Sequence, residues 1–290
     1  MKWLISLFAV LCTAAGAQDY PSKPIRILVP FAPGGAVDTS TRILTQKMQE
    51  RLSWNFVVEN RPGGNGFIAT TAVAKSPADG YTLLMAHTGE FAVNPALFSN
   101  VPYELEKDFV PITMVSDAPM LYLAKSAASF NTFQELVAAA KAKPGGVTFS
   151  SPGNGSINHL AAEWLAHAAG VKLQHIPYKG GAPAAAAVAS GDVDFGVMAV
   201  PGATPHMKSG RGKVIGITTQ RKSPLNASWA TPKDAGLDVD ASIWVGLFAP
   251  KGTPQAVVDK LNAEVRKSLA DPDLQKRFVE SGGAEAVGMS

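Results

Sequence analysis

The chain has 290 residues, of which 46% are hydrophobic, 17% charged and 8% aromatic. This composition is typical of a globular protein with an ample core, and it excludes a disordered chain or a coiled coil. The formal net charge of +3 is small for this length. Because lysine and arginine do not cluster anywhere in the sequence, a nucleic-acid-binding surface is not indicated.

The first 17 residues have the pattern of a secretory signal peptide. Lys2 gives a positive start, an apolar stretch follows, and small residues end at Ala17, where cleavage is expected. The only cysteine, Cys12, lies in the apolar stretch, so the mature chain would have none. An uncleaved N-terminal helix and a lipid attachment at Cys12 are the alternatives. No other apolar run is long enough to span a bilayer, and we therefore expect an exported protein of the periplasm.

Strand and helix signals alternate along the rest of the chain, which predicts an α/β fold with a largely parallel sheet. The first unit is a buried strand, "IRILVPF", followed by a helix that begins around Asp38. The second is a strand with a glycine loop, "NFVVENRPGG", followed by the helix "IATTAVAKS". The third begins with the strand "YTLLMAH", which ends at "TGE". These units predict a doubly wound layout. Ligands in such sheets bind at the carboxyl ends of the strands.

A second series with the same order of signals begins near Met120. It contains "APMLYLAKS", "VTFSSPGNGSINHLAAEWLAHAAG" and "VKLQHIPYKGGAPAAAAVASGDVDFGVMAVPGATPHMKSG". No flexible linker precedes it, so the apolar strands near Met120 and Trp244 are predicted to cross between two lobes. We predict a discontinuous first lobe of residues 18–118 and 246–290, a second lobe of residues 119–245, and a ligand cleft between them.

Four glycine-containing loops follow predicted strands, two in each lobe: "FAPGGAVD", "HTGE", "SPGNGSIN" and "YKGGAPA". None has the glycine spacing of a dinucleotide site or of a phosphate-binding P-loop. Any one of them could be only a turn that requires glycine. At corresponding strand ends in both lobes, however, the four loops indicate helix N-termini that bind a carboxylate through backbone amides.

Neither a metal or cofactor site nor a catalytic site is expected. The histidines lack the spacing of metal ligands; they are His87, His159, His167, His175 and His206. Ser156 lies near His159, but the segment is not a nucleophile elbow, and a histidine three residues along the helix does not point at the serine oxygen. We interpret Ser156 as the N-cap of the following helix. A secreted hydrolase that uses Ser156 is the alternative.

An ordered set of segments runs through essentially the whole mature chain: "YPSKPIRILVPFAPGGAVDTSTR", "VVENRPGG", "DGYTLLMA", "NPALF", "VPYELEKDFVPIT", "SSPGNGSINHLAAEW", "HIPYKGGAPA", "SGDVDFGVM" and "LFAPKGTPQAVVDKLNAEV". In this order they resemble the Bug family of tripartite tricarboxylate transporter (TctC-like) periplasmic solute-binding proteins. Single segments are weak signals, but the ordered set is specific. The resemblance implies a type II periplasmic-binding-protein fold that closes on a small carboxylate-bearing solute without chemistry.

The resemblance also implies which residues contact the solute. First-lobe backbone amides and one hydroxyl would bind a carboxylate, and second-lobe residues would close the cleft. The candidates are Phe31, Ala32, Gly34, Gly35 and Thr88 in the first lobe, and Ser151, Asn154, Ser156, Tyr178, Gly180, Gly181 and Ala182 in the second. Asp38 is the acid of the family's G-G-x-x-D pattern, and we expect it to stabilise the first turn of its own helix more than to touch solute.

Two departures from the family pattern are informative. Ala199 and Val200 stand where many relatives carry an aspartate that meets a ligand amino group. This favours a dicarboxylate, a tricarboxylate or an aromatic carboxylate over an amino acid. Relatives usually continue past Ser290 with a closing helix, so a shortened or truncated C-terminus is expected.

The resemblance implies that the protein is a monomer that delivers its solute to a two-component (TctA/TctB-like) membrane permease. A solute sensor that feeds a two-component system is the alternative. The effector domain of a cytoplasmic regulator conflicts with the signal peptide and with the lack of a DNA-binding segment.

Overall fold

The computed structural model describes residues 20–289. The proposed signal peptide and its cleavage after Ala17 lie outside the described residues, and they stay predictions. Within residues 20–289, none of the helices combines the length and the apolar character that a membrane crossing requires.

Residues 20–289 contain strands and helices in alternation, as predicted. The strands are β1 (Ile25–Val29), β2 (Phe56–Asn60), β3 (Thr82–His87), β4 (Phe109–Lys125), β5 (Thr148–Ser151), β6 (Gln174–Pro177), β7 (Phe195–Ala199), β8 (Gly212–Ile217), β9 (Ser242–Pro250) and β10 (Glu285–Ala286). The helices are α1 (Ala36–Leu52), α2 (Phe67–Ala74), α3 (Asn94–Leu97), α4 (Leu105–Asp108), α5 (Phe133–Ala142), α6 (Ile157–Ala169), α7 (Gly181–Ser190), α8 (Val200–Lys208), α9 (Gln255–Leu269) and α10 (Pro272–Arg277). Shorter helical turns are Gly64–Gly66, Gly89–Val93, Pro232–Ala235 and Phe278–Gly282.

The strands form two groups that share β4. In the first group the order is β2-β1-β3-β9-β4, and β10 also pairs with β4. β1 is parallel to β2 and β3, whereas β9 is antiparallel to both β3 and β4. In the second group, β8 and β7 flank β4, and β5 and β6 extend the sheet beyond β7 in parallel. Helices that alternate with these strands complete a doubly wound α/β architecture.

The shared strand β4 is longer than the sequence indicated. Its first part pairs with β9 from Phe109 to Pro119, and its second part pairs with β7 and β8 from Met120 to Lys125. The sequence predicted a strand near Met120, but it did not indicate the first part of β4, because Pro111 and Pro119 locally disfavour a strand there. Register shifts after Pro111 accommodate the missing amide donor in the strand.

The chain returns from the second strand group through residues 218–241. Thr218 fixes this segment, because its backbone carbonyl accepts from Ala241 N at 2.9 Å and its hydroxyl donates to Ala241 O at 2.6 Å. The return leads directly into β9 beside β4. The two strands therefore run side by side where the two groups meet.

Candidate functional site

The loop between β1 and α1 leaves backbone donors free at the start of a long helix. In the described chain, the amides of Phe31, Ala32 and Gly35 make no hydrogen bond. Gly35 is extended and caps the 17-residue helix α1, which begins at Ala36, two residues before the predicted start around Asp38. Free amides at the positive end of a helix dipole form a site for an anion.

Asp38 holds this loop in shape. Its carboxylate accepts from Gly34 N at 2.9 Å, from Arg42 Nε at 2.9 Å and from Asn60 Nδ2 at 3.0 Å. Burial alone would raise the pKa of Asp38, but the hydrogen bonds from Arg42, Gly34 and Asn60 outweigh it, so the pKa lies below its usual value. All three partners belong to the same lobe. The contacts of Asp38 are therefore those of a residue that positions the loop.

Thr88 lies at the end of β3, beside the start of β9. Its hydroxyl donates to Ser242 O at 3.1 Å and accepts from Trp244 N at 3.1 Å. Because the single hydroxyl proton is already donated, Thr88 could offer a solute only an acceptor in this arrangement. Its contacts join β3 to the strand that crosses between the lobes.

Ser156 is the N-cap of α6, as the sequence predicted. Its hydroxyl accepts from His159 N at 3.2 Å and donates to Gly153 O at 2.8 Å. The hydroxyl thus satisfies one of the first amides of the helix and closes the loop of residues 151–156. Asn154 N makes no hydrogen bond in the described chain, which leaves a free donor at the tip of this loop.

Substitutions at Ser156 are expected to separate stability from solute binding. Ser156→Ala removes the cap and should lower the free energy of unfolding by about 1 kcal/mol. Ser156→Asp keeps a capping oxygen and should retain most of that stability, but its negative charge should repel a bound carboxylate. Urea unfolding and calorimetric titration of both variants measure the two effects. Equal binding by Ser156→Asp and the unmodified protein would place Ser156 away from the solute.

The ring of His159 does not reach Ser156. Its Nδ1 accepts from Gly155 N at 3.2 Å, and its ring stacks on that of His175 with a centroid distance of 3.9 Å. His175 Nε2 lies 2.7 Å from Ser151 Oγ. The two histidines therefore contact the loop of residues 151–156 at Ser151 and Gly155. Among residues 20–289, no histidine or carboxylate is hydrogen-bonded to the Ser156 hydroxyl. This geometry does not support the hydrolase alternative.

The stacked histidines predict a loss of stability in acid. Burial and the adjacent His159 lower the pKa of His175 from 6.5 to about 4, and burial lowers the pKa of His159. The neutral form of His175 therefore stabilises the fold above about pH 6.5, and this contribution is lost as the pH falls through about 4. Thermal unfolding between pH 7 and pH 4 should show a flatter decline for His175→Gln than for the unmodified protein. Parallel curves would contradict the assignment.

The loop before α7 lies beside the loop of residues 151–156. Tyr178 N donates to Ser151 O at 3.0 Å, and Gly180 N donates to Pro152 O at 3.0 Å. Gly180 has φ +116°, which a residue with a side chain rarely adopts. The predicted residues that follow, Gly181 and Ala182, form the first turn of α7, whose amides have no partner within the helix.

Ala199 ends β7 at the boundary between the lobes. The next residue, Val200, begins α8 and lies against Gly283, where it occupies the space that a side chain at residue 283 would need. α8 also contacts α1 of the first lobe. With alanine at position 199, this strand end offers no carboxylate to an ammonium group.

The two lobes touch near the tip of the second-lobe loop. Asn65 Nδ2 donates to Asn154 O at 3.1 Å, and Gly155 packs against Leu97 and Phe98. Asn65 has a left-handed backbone, with φ 51°. This contact could not be predicted from the sequence, since nothing local indicates which loop faces the "GGNG" segment of residues 63–66.

Comparison with known proteins gives a consistent result. The model of the tripartite tricarboxylate transporter family receptor, TctC, matches residues 40–290. Protein BugT of Bordetella pertussis is 32% identical, over 99% of this chain and 90% of BugT.

Three solved structures have a similar fold. The periplasmic binding protein BugD is 36% identical with a TM-score of 0.84, over 93% of this chain and 90% of that chain. An R. palustris protein solved with adipate is 30% identical with a TM-score of 0.89, over 94% and 91% of the two chains. MatC from Rhodopseudomonas palustris, with bound malate, is 31% identical with a TM-score of 0.83, over 92% and 91%.

These similarities confirm the two-lobe α/β fold of a periplasmic binding protein. The family and the similar structures are solute receptors rather than enzymes. The chain belongs to the tripartite tricarboxylate transporter receptor family, TctC, whose solute-binding members include the Bug proteins.

Proposed function

We propose that this protein captures a small organic carboxylate between its lobes and delivers it to a two-component membrane permease. The observation that carries the proposal is the set of free backbone donors on both sides of the cleft. They belong to Phe31, Ala32 and Gly35 at the start of α1, and to Asn154 in the facing loop. Amides of this kind stabilise a carboxylate without a cation.

The proposed solute site is divided between residues 18–118 with 246–290 and residues 119–245. Solute between the loops would add contacts where the lobes already touch at Asn65 and Asn154. Closure would then be stabilised by solute bound to both halves, because each half alone presents only part of the donors. The similar structures with adipate and malate support a carboxylate as the solute class.

The position of Ala199 refines the solute class. An amino acid would need an acceptor for its ammonium group, and the alanine at this strand end provides none. We therefore favour a dicarboxylate, a tricarboxylate or an aromatic carboxylate. In the proposed pathway the exported monomer works in the periplasm after cleavage following Ala17, and the permease receives the solute from the closed form.

A thermal-shift screen tests the proposal on the protein expressed from Gln18. The screen compares adipate, malate, citrate, benzoate and free amino acids. A solute at about 100 times its dissociation constant should add roughly 2.7 kcal/mol of stability. We expect at least one non-amino carboxylate to raise the melting temperature and amino acids to have little effect. A shift only with amino acids would contradict the solute class, and no shift with any acid would contradict the proposed function.

A further inference from the structure

A buried acid–histidine pair lies at the end of β3, outside the set of predicted site residues. Glu90 is fully buried. Its Oε2 accepts from His87 N at 2.9 Å and lies 2.7 Å from His87 Nδ1. The backbone turn at Gly89 brings the two side chains together, and Gly89 N donates to the same Nδ1 at 2.9 Å.

The other oxygen of Glu90 has no partner. Oε1 is shielded from solvent and makes no hydrogen bond within residues 20–289. It lies over Gly66, where a Cβ atom would overlap it. In the described chain His87 is the one basic side chain paired with this carboxyl group. An enclosed carboxyl oxygen without a hydrogen-bond partner is costly, so the contacts of Oε2 have to hold this side chain in place.

The contacts of His87 Nδ1 indicate where the ring proton lies. Gly89 N donates to Nδ1 at 2.9 Å, so Nδ1 is an acceptor in this arrangement. Glu90 Oε2, which lies 2.7 Å from the same Nδ1, is then the donor of that contact. The ring proton of His87 is therefore on Nε2, which makes Nε2 a donor.

This donor lies beside the loop between β1 and α1. His87 Nε2 has no hydrogen-bond partner in the described chain and is not among its enclosed polar atoms, and the side chain retains 12% exposure. The His87 ring packs on the ring of Phe31 with a centroid distance of 4.4 Å. Phe31 carries one of the free amides, so the imidazole lies next to the donors at the start of α1.

We propose that His87 Nε2–H is a side-chain donor to the solute carboxylate, and that Glu90 is the positioning residue that keeps it protonated. This inference rests on the proposed function and deepens it. It adds a charge-assisted contact to the amides of Phe31, Ala32 and Gly35. The site would consequently discriminate a carboxylate from its uncharged ester or amide, because the hydrogen bond from Nε2–H to an anion is stronger than that to a neutral carbonyl oxygen.

Titration of adipate, malate and benzoate into four variants tests the contact. His87→Phe keeps a ring against Phe31 but has no donor, and it should weaken the binding of the acids about 10- to 100-fold. His87→Gln retains an N–H group and should lose less. His167→Gln, on the exposed face of α6, is the control and should bind like the unmodified protein. Glu90→Gln should weaken binding by an intermediate factor.

Nitrogen-15 NMR of histidine-labelled protein tests the protonation without any solute. We expect the ring proton of His87 to be on Nε2, and we expect Glu90→Ala, which removes the contact at Nδ1, to increase the share of the Nδ1-protonated ring, a change that a purely structural role of Glu90 would not produce. An unprotonated Nε2 in the unmodified protein, or unchanged affinity in His87→Phe, would overturn the proposal. If the unmodified protein binds none of the acids while Nε2 is protonated, the proposed function fails instead.

Discussion

Replacement of Asp38 by alanine is expected to lower the free energy of unfolding by about 3 kcal/mol and to weaken carboxylate binding about 100-fold. The carboxylate is buried and receives hydrogen bonds from Gly34, Arg42 and Asn60. Arg42 is half-exposed, so its ion pair contributes little. Most of the cost comes from Gly34 N and Asn60 Nδ2, which would lose their acceptor, and from the loop that would lose its shape.

Urea unfolding of Asp38→Ala measures the loss of stability, and calorimetric titration measures the loss of carboxylate affinity. Asp234→Ala is a matched control, because Asp234 also accepts from a backbone amide in the first turn of a helical segment but lies on the surface. The control should leave carboxylate binding unchanged. Asp38→Ala with unchanged binding would show that the shape of the loop between β1 and α1 does not matter for the solute.

Replacement of Gly66 by alanine is expected to destabilise the protein by roughly 3 kcal/mol. Gly66 has φ +90°, and an added Cβ would overlap the buried carboxylate of Glu90. A left-handed backbone conformation costs an alanine about 1 kcal/mol, and displacement of an enclosed side chain accounts for the rest. Because Asn65 precedes this glycine and touches Asn154 of the second lobe, the contact between the lobes should also weaken.

Comparison with Gly145→Ala separates the two costs of Gly66→Ala, which are the left-handed backbone conformation and the overlap with Glu90. Gly145 has φ +72°, but the space where its Cβ would stand is open. Gly145→Ala should therefore lower the free energy of unfolding by only about 1 kcal/mol, measured by the same urea unfolding. In a double-mutant cycle, Glu90→Ala should relieve part of the cost of Gly66→Ala. If the two glycine variants are equally unstable, Glu90 does not fill the space above Gly66.

Much of the fold follows from short-range signals in the sequence. The β-branched residues of β1, the apolar run of β3 and the glycines after both strands indicate strands that end in loops. Ser156, directly before α6, indicates an N-cap, because its hydroxyl can accept from an amide of the first helical turn, and the structure has that cap. Alternation of these units predicts the α/β class, because parallel strands need helical crossovers.

The extent of β4 could not be predicted in the same way. Pro111 and Pro119 disfavour a strand locally, yet the strand continues from Phe109 to Lys125. The pairing with β9 and the register shifts compensate for the prolines. These are tertiary features, and no local pattern encodes them.

In the candidate site, too, short-range signals predict some features, whereas others arise only from the tertiary fold. The sequence indicates which loops have free amides, because glycine and helix starts mark them. It does not indicate that His159 stacks on His175, since the two belong to different elements and meet only through the sheet. Likewise, the sequence indicates "HTGE" only as a glycine loop that could bind a carboxylate through its amides, and only the fold reveals that Glu90 is buried beneath Gly66.

The central claim is that the cleft binds the carboxylate group itself. Calorimetric titration with the acid that stabilises the protein most, and with its methyl ester, tests this directly. We predict a dissociation constant of about 1 μM or lower for the acid, which corresponds to about 8 kcal/mol, and a loss of at least about 100-fold for the ester. Equal affinity for acid and ester, or no heat with any acid, would contradict the account.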